Sequence, residues 1–344
     1  MSENLNPLAK VEQEILRFDQ LIEDISGLFA VETLAPRIHI IHPKAARRTH
    51  RAPDRDVNLT LMAIIHGVEV AGLAILNELL AALKSGQLPL EVSIGLALGN
   101  IAAAQKGVRF VDRDLNRSFG RESLDTIEDR RADDLETLLA RSERLIDFHQ
   151  VRLKIDRPFW IFPYSKNGYK LARSVAPEVS IITHWGKGFS QEGQCSDEWL
   201  NHHGGNGVTM ELGQNGFDPA QIAMGLGVVK KALAVVTAAH FGRRERPSKN
   251  PPAPLYTWGE IVAYPPTGGP VLDEGWHNFK MVTAGGRLGQ FNGQEVCASV
   301  SGPVLFPKYP DKIPANGVYG DKAPAAELIR ILKVIDERDL PADK

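Results

Sequence analysis

The sequence predicts an α/β fold, a mixed and mostly parallel sheet flanked by helices, followed by a small C-terminal all-β domain. Three observations predict it. Short runs rich in branched apolar residues alternate with helix-length segments through the first 240 residues, the pattern of a parallel sheet covered on both faces. Two of those runs end in histidine, at strand ends where open α/β sheets bind their ligands. Beyond residue 250 the chain turns to short β-like stretches punctuated by Gly and Pro.

Apolar side chains at helical spacing (Leu8, Val11, Ile15, Leu16, Phe18, Leu21, Ile22, Ile25) predict an amphipathic helix over 8–26. Segments 37–42 and 59–66 are rich in branched apolar side chains and read as strands. Segment 69–85 is a strong helix that Gly86 ends. An apolar strand at 92–98 leads into Gly99-Asn100 and a polar loop, and a charged helix at 126–142 feeds a strand at 145–149. Further strands are expected at 160–163, 179–183 and 207–212, then a long helix at 219–240 rich in Ala, Val and Leu. A charged, proline-rich linker spans 243–254, β-like runs fill 255–310, and a last helix is expected at 325–338. The chain divides into an N-terminal helix (1–30), a main domain (31–245), a small β domain (250–312) and a helical tail (313–344).

A chain of 344 residues has room for one large core and a smaller module. With 24% charged and 43% hydrophobic residues its composition is that of an ordinary globular protein. A net charge of -2 gives no reason to expect nucleic acid or an anionic membrane as partner. The two cysteines, Cys195 and Cys297, form neither a CxxC motif nor a disulfide framework, so a reducing compartment is expected. The N-terminus, with Glu3, Glu12 and Glu14, lacks the apolar core of a signal peptide. No apolar run approaches the roughly 18 residues of a membrane span. The expected location is the cytoplasm and the expected partner a small carboxylate-bearing substrate, with a homo-oligomer left open.

The densest chemistry lies in Leu61-Met-Ala-Ile-Ile-His66-Gly-Val-Glu69. His66 ends an apolar run, Gly67 lets the backbone turn sharply out of the strand, and Glu69 opens the next helix. His149 ends a second run, Leu145-Ile-Asp-Phe-His149. Two histidines and a glutamate with a fourth position open are the donor set of a catalytic zinc site, one Zn2+ per chain. Asp147 shares a face with His149 on an extended segment and is placed to orient its imidazole, though a plain surface aspartate fits equally. Each histidine alone also fits a satisfied buried residue. The agreement of both strand ends, Gly67 and the α/β alternation favours a metal.

A second block comprises Gly99-Asn100, Gly107-Val-Arg109-Phe and Asp112-Arg-Asp114-Leu-Asn116-Arg117-Ser-Phe119. Such a loop suits an anion, because a planar guanidinium meets a carboxylate bidentately. Taken alone it also fits a solvated, salt-bridged loop. In the third block, Gly207-Val-Thr-Met-Glu211-Leu-Gly213, a glutamate interrupts an apolar strand. A buried carboxylate is costly unless paired or functional, and one beside an activated water serves as general base. On an edge strand the same residue would merely face solvent.

In order, His66-Gly-x-Glu69, Gly99-Asn100…Arg109…Asp114-Leu-Asn-Arg117, Asp147-x-His149 and Glu211-Leu-Gly213 resemble the succinylglutamate desuccinylase/aspartoacylase family, a branch of the zinc carboxypeptidase-like fold. The trailing β module with Val304-Leu-Phe-Pro307 fits it too. The resemblance implies that 31–245 is a catalytic domain in which His66, Glu69 and His149 bind zinc and Glu211 is the general base. It also implies that Arg109 polarises the scissile carbonyl and that Asn116 with Arg117 holds the substrate's free carboxylate. The reaction implied is hydrolysis of the amide bond of an N-acyl amino acid by metal-activated water.

Two segments depart from the family pattern: Gln150-Val-Arg152-Leu-Lys154-Ile-Asp156-Arg157 and Asn201-His-His-Gly-Gly-Asn206. Both are expected along the substrate pocket, with His184, His202 and His203 as candidate contacts. Two other readings compete, a carboxypeptidase-like enzyme acting on a peptide or γ-glutamyl link and a non-catalytic metal-binding protein. Metal binding alone requires neither Glu211 nor Arg109, which speaks against the last. No Gly-x-Ser-x-Gly elbow occurs, and Gly225-Leu-Gly227 lies inside a helical run, so neither a serine hydrolase nor a dinucleotide site is indicated.

Overall fold

The computed structural model describes residues 6–44, 55–155, 157–186, 188–190, 193–243, 251–263, 271–309 and 327–342. The N-terminal half runs α1 (Pro7–Ser26), β1 (Ala30–Ala35), β2 (Ile38–His42), β3 (Leu59–Ala63), α2 (Ala71–Lys84), β4 (Ile94–Leu98), α3 (Ile101–Lys106), α4 (Ile127–Ala140) and β5 (Arg144–Val151). Then come β6 (Phe159–Pro163), α5 (Lys166–Val175), β7 (Ser180–His184), α6 (Ser196–His202), β8 (Asn206–Gln214) and α7 (Pro219–His240). The remainder is β9 (Leu255–Ala263), β10 (Val271–Leu272), β11 (Met281–Val282), β12 (Arg287–Phe291), β13 (Gln294–Cys297), β14 (Gly302–Leu305) and β15 (Glu327–Ile335).

One sheet takes twelve of these strands, in the order β1-β2-β4-β3-β5-β8-β6-β7-β9-β15-β14-β11. It is mixed: β4-β3-β5-β8 and β6-β7-β9 are parallel blocks, joined by the antiparallel pair β8-β6. Its inner strands are apolar on both faces because helices cover both. Leu59, Leu61 and Ala63 of β3 pack into a core shared with α1, α2 and α7. Met62, from the opposite face, joins Ala132, Leu135 and Leu138 of α4 and Trp199 and Leu200 of α6. That two-sided burial explains the continuous apolar runs, which a half-solvated strand would break by alternation.

The N-terminal helix belongs to the main core, since Ile15, Phe18 and Ile25 are fully buried in the cluster that holds α2 and β3. Strand β3 stops at Ala63 rather than running on to His66. Ile64 takes a left-handed backbone conformation (φ 52°), rare for a β-branched residue and worth about 1–3 kcal/mol of strain. The turn is held by Asn100 N–H donating to the Ile64 carbonyl at 2.7 Å and Gly99 N–H to that of Ala63 at 2.8 Å. Helix α7 is, by length and composition, apolar enough to cross a membrane, contrary to the reading of the sequence. Here its Val228, Val229, Ala232, Leu233 and Val236 are buried in the main core.

The C-terminal part differs most from expectation. No α-helix forms over the described part of 325–338. Residues Glu327–Ile335 are a strand, β15, antiparallel to β9 along its length, with a short 3-10 turn at Glu337–Asp339 behind it. Leu328, Ile329, Arg330, Ile331 and Leu332 are all buried, so consecutive residues are covered on both faces, as a strand inside a sheet allows. The described part of the 250–312 region is all β, as expected, and it joins the main sheet. Its β9 extends the main sheet beside β7, and β14 and β11 continue it, while β10, β12 and β13 form a separate three-stranded sheet. Linker residues 244–250 and tail residues 313–326 lie outside the described residues.

Candidate active site

Strands β3 and β5 are parallel neighbours, so their carboxyl ends bring His66 and His149 together. The two rings lie 5.0 Å apart between centroids, nearly edge-on. Glu69, just before α2, reaches between them: its Oε1 is 2.7 Å from His66 Nδ1 and its Oε2 2.9 Å from His149 Nδ1. All three side chains are buried. Gly67 makes this turn possible, because a Cβ there would fall 2.3 Å from the backbone of Ala103 and Ala104.

The outer ring nitrogens face carboxylates. His66 Nε2 is 3.0 Å from Asp114 Oδ1, and His149 Nε2 is 3.0 Å from Asp147 Oδ2, an ion-pair approach rather than an aligned hydrogen bond. An imidazole with one nitrogen facing inward and a carboxylate behind the other is the arrangement that fixes tautomer and orientation in a metal ligand. The electrostatics agree. Burial works against a charge on His149, yet Asp147 and Glu69 outweigh it and hold its pKa well above the usual value. Burial likewise opposes ionisation of Glu69, and the His66 and His149 rings hold its carboxyl below the usual range. The cluster therefore calls for positive charge between three donors whose ligating atoms lie within 4.8 Å of one another, which suits a divalent cation.

Arg109 roofs the cluster. Its Nη2 lies 2.7 Å from His66 Nε2 and 3.0 Å from Asp114 Oδ2, and its Nη1 3.3 Å from Glu69 Oε1. The Arg109 loop is clamped from below by Glu128 at the start of α4. That fully buried carboxylate accepts from Val111 N–H at 2.7 Å, Asp112 N–H at 3.2 Å, Arg113 N–H at 3.3 Å and Asn100 Nδ2 at 2.9 Å. Asn116 and Arg117 sit in a 3-10 turn that Asp114 caps, its Oδ1 accepting from Asn116 N–H at 2.9 Å. Asp114 thus joins His66 to that turn, a role its sequence position did not reveal.

Glu211 lies on β8, between β5 and β6 and so not on an edge, in register with His149 across the parallel β5–β8 pair. Adjacent in-register side chains leave the same face of a sheet. Its Oε2 is buried with no hydrogen-bond partner among the described residues, and burial pushes its pKa up to about 7. A buried carboxylate oxygen left unsatisfied beside a cation-seeking cluster makes Glu211 a candidate functional residue.

The departing segments lie at different distances from the cluster. The Gln150 N–H donates to Glu69 Oε2 at 3.1 Å, while its side chain turns from the cluster: Oε1 accepts from Ala71 N–H at 3.1 Å, and Nε2 donates to Gln214 and Gly216 carbonyls at 2.9 Å and to Gln221 Oε1 at 2.6 Å. Arg157 lies over Phe279, and Asp156 lies outside the described residues. His202 and His203 are exposed at the far end of α6, with the His203 ring stacked on Trp199 at 3.9 Å. His184 is buried at the end of β7 and stacks on Trp258 of β9.

Fold and site define an α/β protein with a candidate single-metal centre at the carboxyl ends of parallel strands. The sequence profile of the succinylglutamate desuccinylase/aspartoacylase catalytic domain matches residues 55–236, more than half of the chain. The chain belongs to that family. The succinylglutamate desuccinylase of Yersinia pestis (strain Pestoides F) is 37% identical over 135 residues, which cover 36% of this chain and 40% of that relative. The match thus spans well under two thirds of the relative's length. Two solved structures share the fold. Succinylglutamate desuccinylase from Vibrio parahaemolyticus aligns with a TM-score of 0.65 at 15% identity, covering 93% of this chain and 95% of that one. The Chromobacterium violaceum enzyme of the same name aligns with a TM-score of 0.63 at 18% identity, covering 95% and 98%.

Proposed function

We propose that this protein is a zinc-dependent hydrolase that cleaves the amide bond of an N-acyl amino acid. Family membership supports an amide-bond deacylase. The observation that carries the finer reading is the buried His66–Glu69–His149 cluster with the unsatisfied Glu211 carboxylate in register beside it. Bound there, zinc would supply Lewis acidity and lower the pKa of a water to about 7.

The residues then divide the work. Glu211 removes a proton from the attacking water as oxygen adds to the amide carbonyl, and later delivers that proton to the leaving amine. Arg109 donates hydrogen bonds to the oxyanion that develops. Asn116 and Arg117 hold the free carboxylate of the amino acid, and Asp114 and Asp147 keep the two imidazoles in one orientation. Amide and water become a carboxylate and an amine. A small substrate is favoured over a long peptide because the C-terminal strands reach the site's flank. Arg330 of β15 and Trp258 of β9 pack on Phe189, whose ring also faces the Arg117 guanidinium. A cytoplasmic setting without membrane or nucleic-acid partners belongs to the same proposal, resting on two free cysteines and a net charge of -2.

The test is amine release from acetyl and succinyl derivatives of Asp, Glu and Arg by zinc-loaded protein, with and without a chelator. Chelator-sensitive hydrolysis of one compound, lost in Glu211→Gln, is expected. Turnover that survives complete metal removal would overturn the proposal.

A further inference from the structure

We propose that Ser196, the first residue of α6, is a positioning residue that braces His149 and Asn116 against one another. Its hydroxyl donates to Asp147 Oδ2 at 2.6 Å, the same oxygen that faces His149 Nε2. Asp147 is fully buried, and its Oδ1 has no partner among the described residues, so this hydroxyl is the one hydrogen bond there that aims its carboxylate. From the other side, the Ser196 N–H donates to Asn116 Oδ1 at 3.1 Å. An N–H can only donate, so the Asn116 amide must turn its oxygen to Ser196 and present Nδ2 elsewhere. A donor is what a substrate carboxylate needs from that side chain. One residue therefore orients a metal ligand through its side chain and an anion clamp through its backbone.

The surrounding chain is built to hold it there. Phe119 and Gln194 form a β-bridge. A Cβ on Gly193 would fall 2.0 Å from the Arg117 carbonyl oxygen, so only glycine allows this approach. The Arg117 guanidinium donates to Cys195 Sγ at 3.1 Å. Two segments some 80 residues apart in sequence thus meet between the metal cluster and the clamp.

The inference rests on reading His149 as a ligand and Asn116 as part of the clamp. Zinc affinity of metal-free wild type, Ser196→Ala, Ser196→Thr and Ser196→Pro would be measured at neutral pH by competition with a chromophoric chelator, beside thermal midpoints. Ser196→Ala should bind zinc about tenfold more weakly, the low end for losing an outer partner of a ligand, and Ser196→Thr should recover most of that. Zinc-saturated Ser196→Ala should keep its KM, whereas Ser196→Pro, which lacks the N–H, should raise KM about tenfold with a smaller change in kcat. Proline fits the first turn of a helix, and Cys195 already has the extended conformation a following proline requires (φ -79°, ψ 163°). If that variant does not fold, the Ala and Thr pair decides alone. Wild-type zinc affinity in Ser196→Ala, or a lowered thermal midpoint with unchanged affinity, overturns the inference. A wild type that binds no zinc overturns the metal reading and this inference with it. A wild type that binds zinc but hydrolyses nothing sinks only the deacylase reading, and a zinc defect in Ser196→Ala then still upholds Ser196.

Discussion

Asp147 and His149 stand two residues apart on β5, with Asp147 Oδ2 3.0 Å from His149 Nε2 and Glu69 Oε2 2.9 Å from the Nδ1 across the same ring. The imidazole is gripped at both nitrogens, so its position is settled before any cation arrives. Replacing Asp147 with Asn should weaken zinc binding about 10–100-fold, whereas His149→Ala should abolish stoichiometric zinc. Metal analysis after dialysis distinguishes them. Equal zinc content in both variants would show that His149 is no ligand.

Glu211→Gln keeps the shape of the side chain and removes its basicity. If Glu211 shuttles the proton, kcat should fall about 10²–10⁴-fold while zinc content stays at one per chain. Thermal stability should not fall, because a buried carboxylate whose pKa is pushed up to about 7 costs the fold free energy that a neutral amide does not. A variant with near-native kcat would assign the proton transfer elsewhere.

Glu128 has no ion-pair partner among the described residues, yet three backbone N–H groups of the Arg109 loop and the Asn100 amide end on its carboxylate. Glu128→Ala leaves the buried Asn100 amide and three partly buried backbone donors without their acceptor, at about 1–3 kcal/mol for each one that water does not reach. A loss of about 3 kcal/mol or more in urea unfolding is expected, with Glu128→Gln intermediate. A variant as stable as wild type would show that the loop holds without the clamp.

Asp197 sets a pH dependence. Burial, reinforced by the neighbouring Glu198 charge, pushes its pKa up to about 7, although Thr209 Oγ1 donates to it at 3.0 Å. A carboxyl raised in the folded state binds more protons there than in the unfolded chain, so its stability contribution is full below the ordinary carboxylate range and is lost as pH rises through about 7. Asp197→Asn should flatten the stability profile between roughly pH 4 and 7 and stabilise the protein at pH 8 by up to a few kcal/mol. Unfolding midpoints across that range check it. Parallel profiles for variant and wild type would place the titration on another group.

Much of this was readable along the chain. The runs at β3, β4, β5 and β8 announce themselves because a sheet buried on both faces needs unbroken apolar strands, and α7 has the bounds its composition suggests. Strand β1 and helix α5 escaped notice for physical reasons. Ala30–Ala35 is a partly exposed edge strand carrying Glu32 and Thr33, and Lys166–Val175 is a short helix, mostly polar with a glycine inside it, whose buried face is only Gly168, Leu171, Ala172 and Val175.

What the sequence by itself determined is the chemistry on offer: two strand-ending histidines, a glutamate three residues after one of them, an arginine-rich loop and a glutamate in an apolar strand. Residue type and local period carry that information, because hydrophobic alternation and donor chemistry are properties of neighbours in the chain. Only the tertiary structure decided which donors meet. Strand order puts His149 beside both Glu69 and Glu211, and the packing of α6 delivers Ser196 to Asp147 and Asn116. It also made a strand of Glu327–Ile335, whose apolar residues suit a helix as readily until eight pairs with β9 tie its backbone into the sheet. Contacts between distant segments follow from how the sheet is threaded, and no local spacing encodes that.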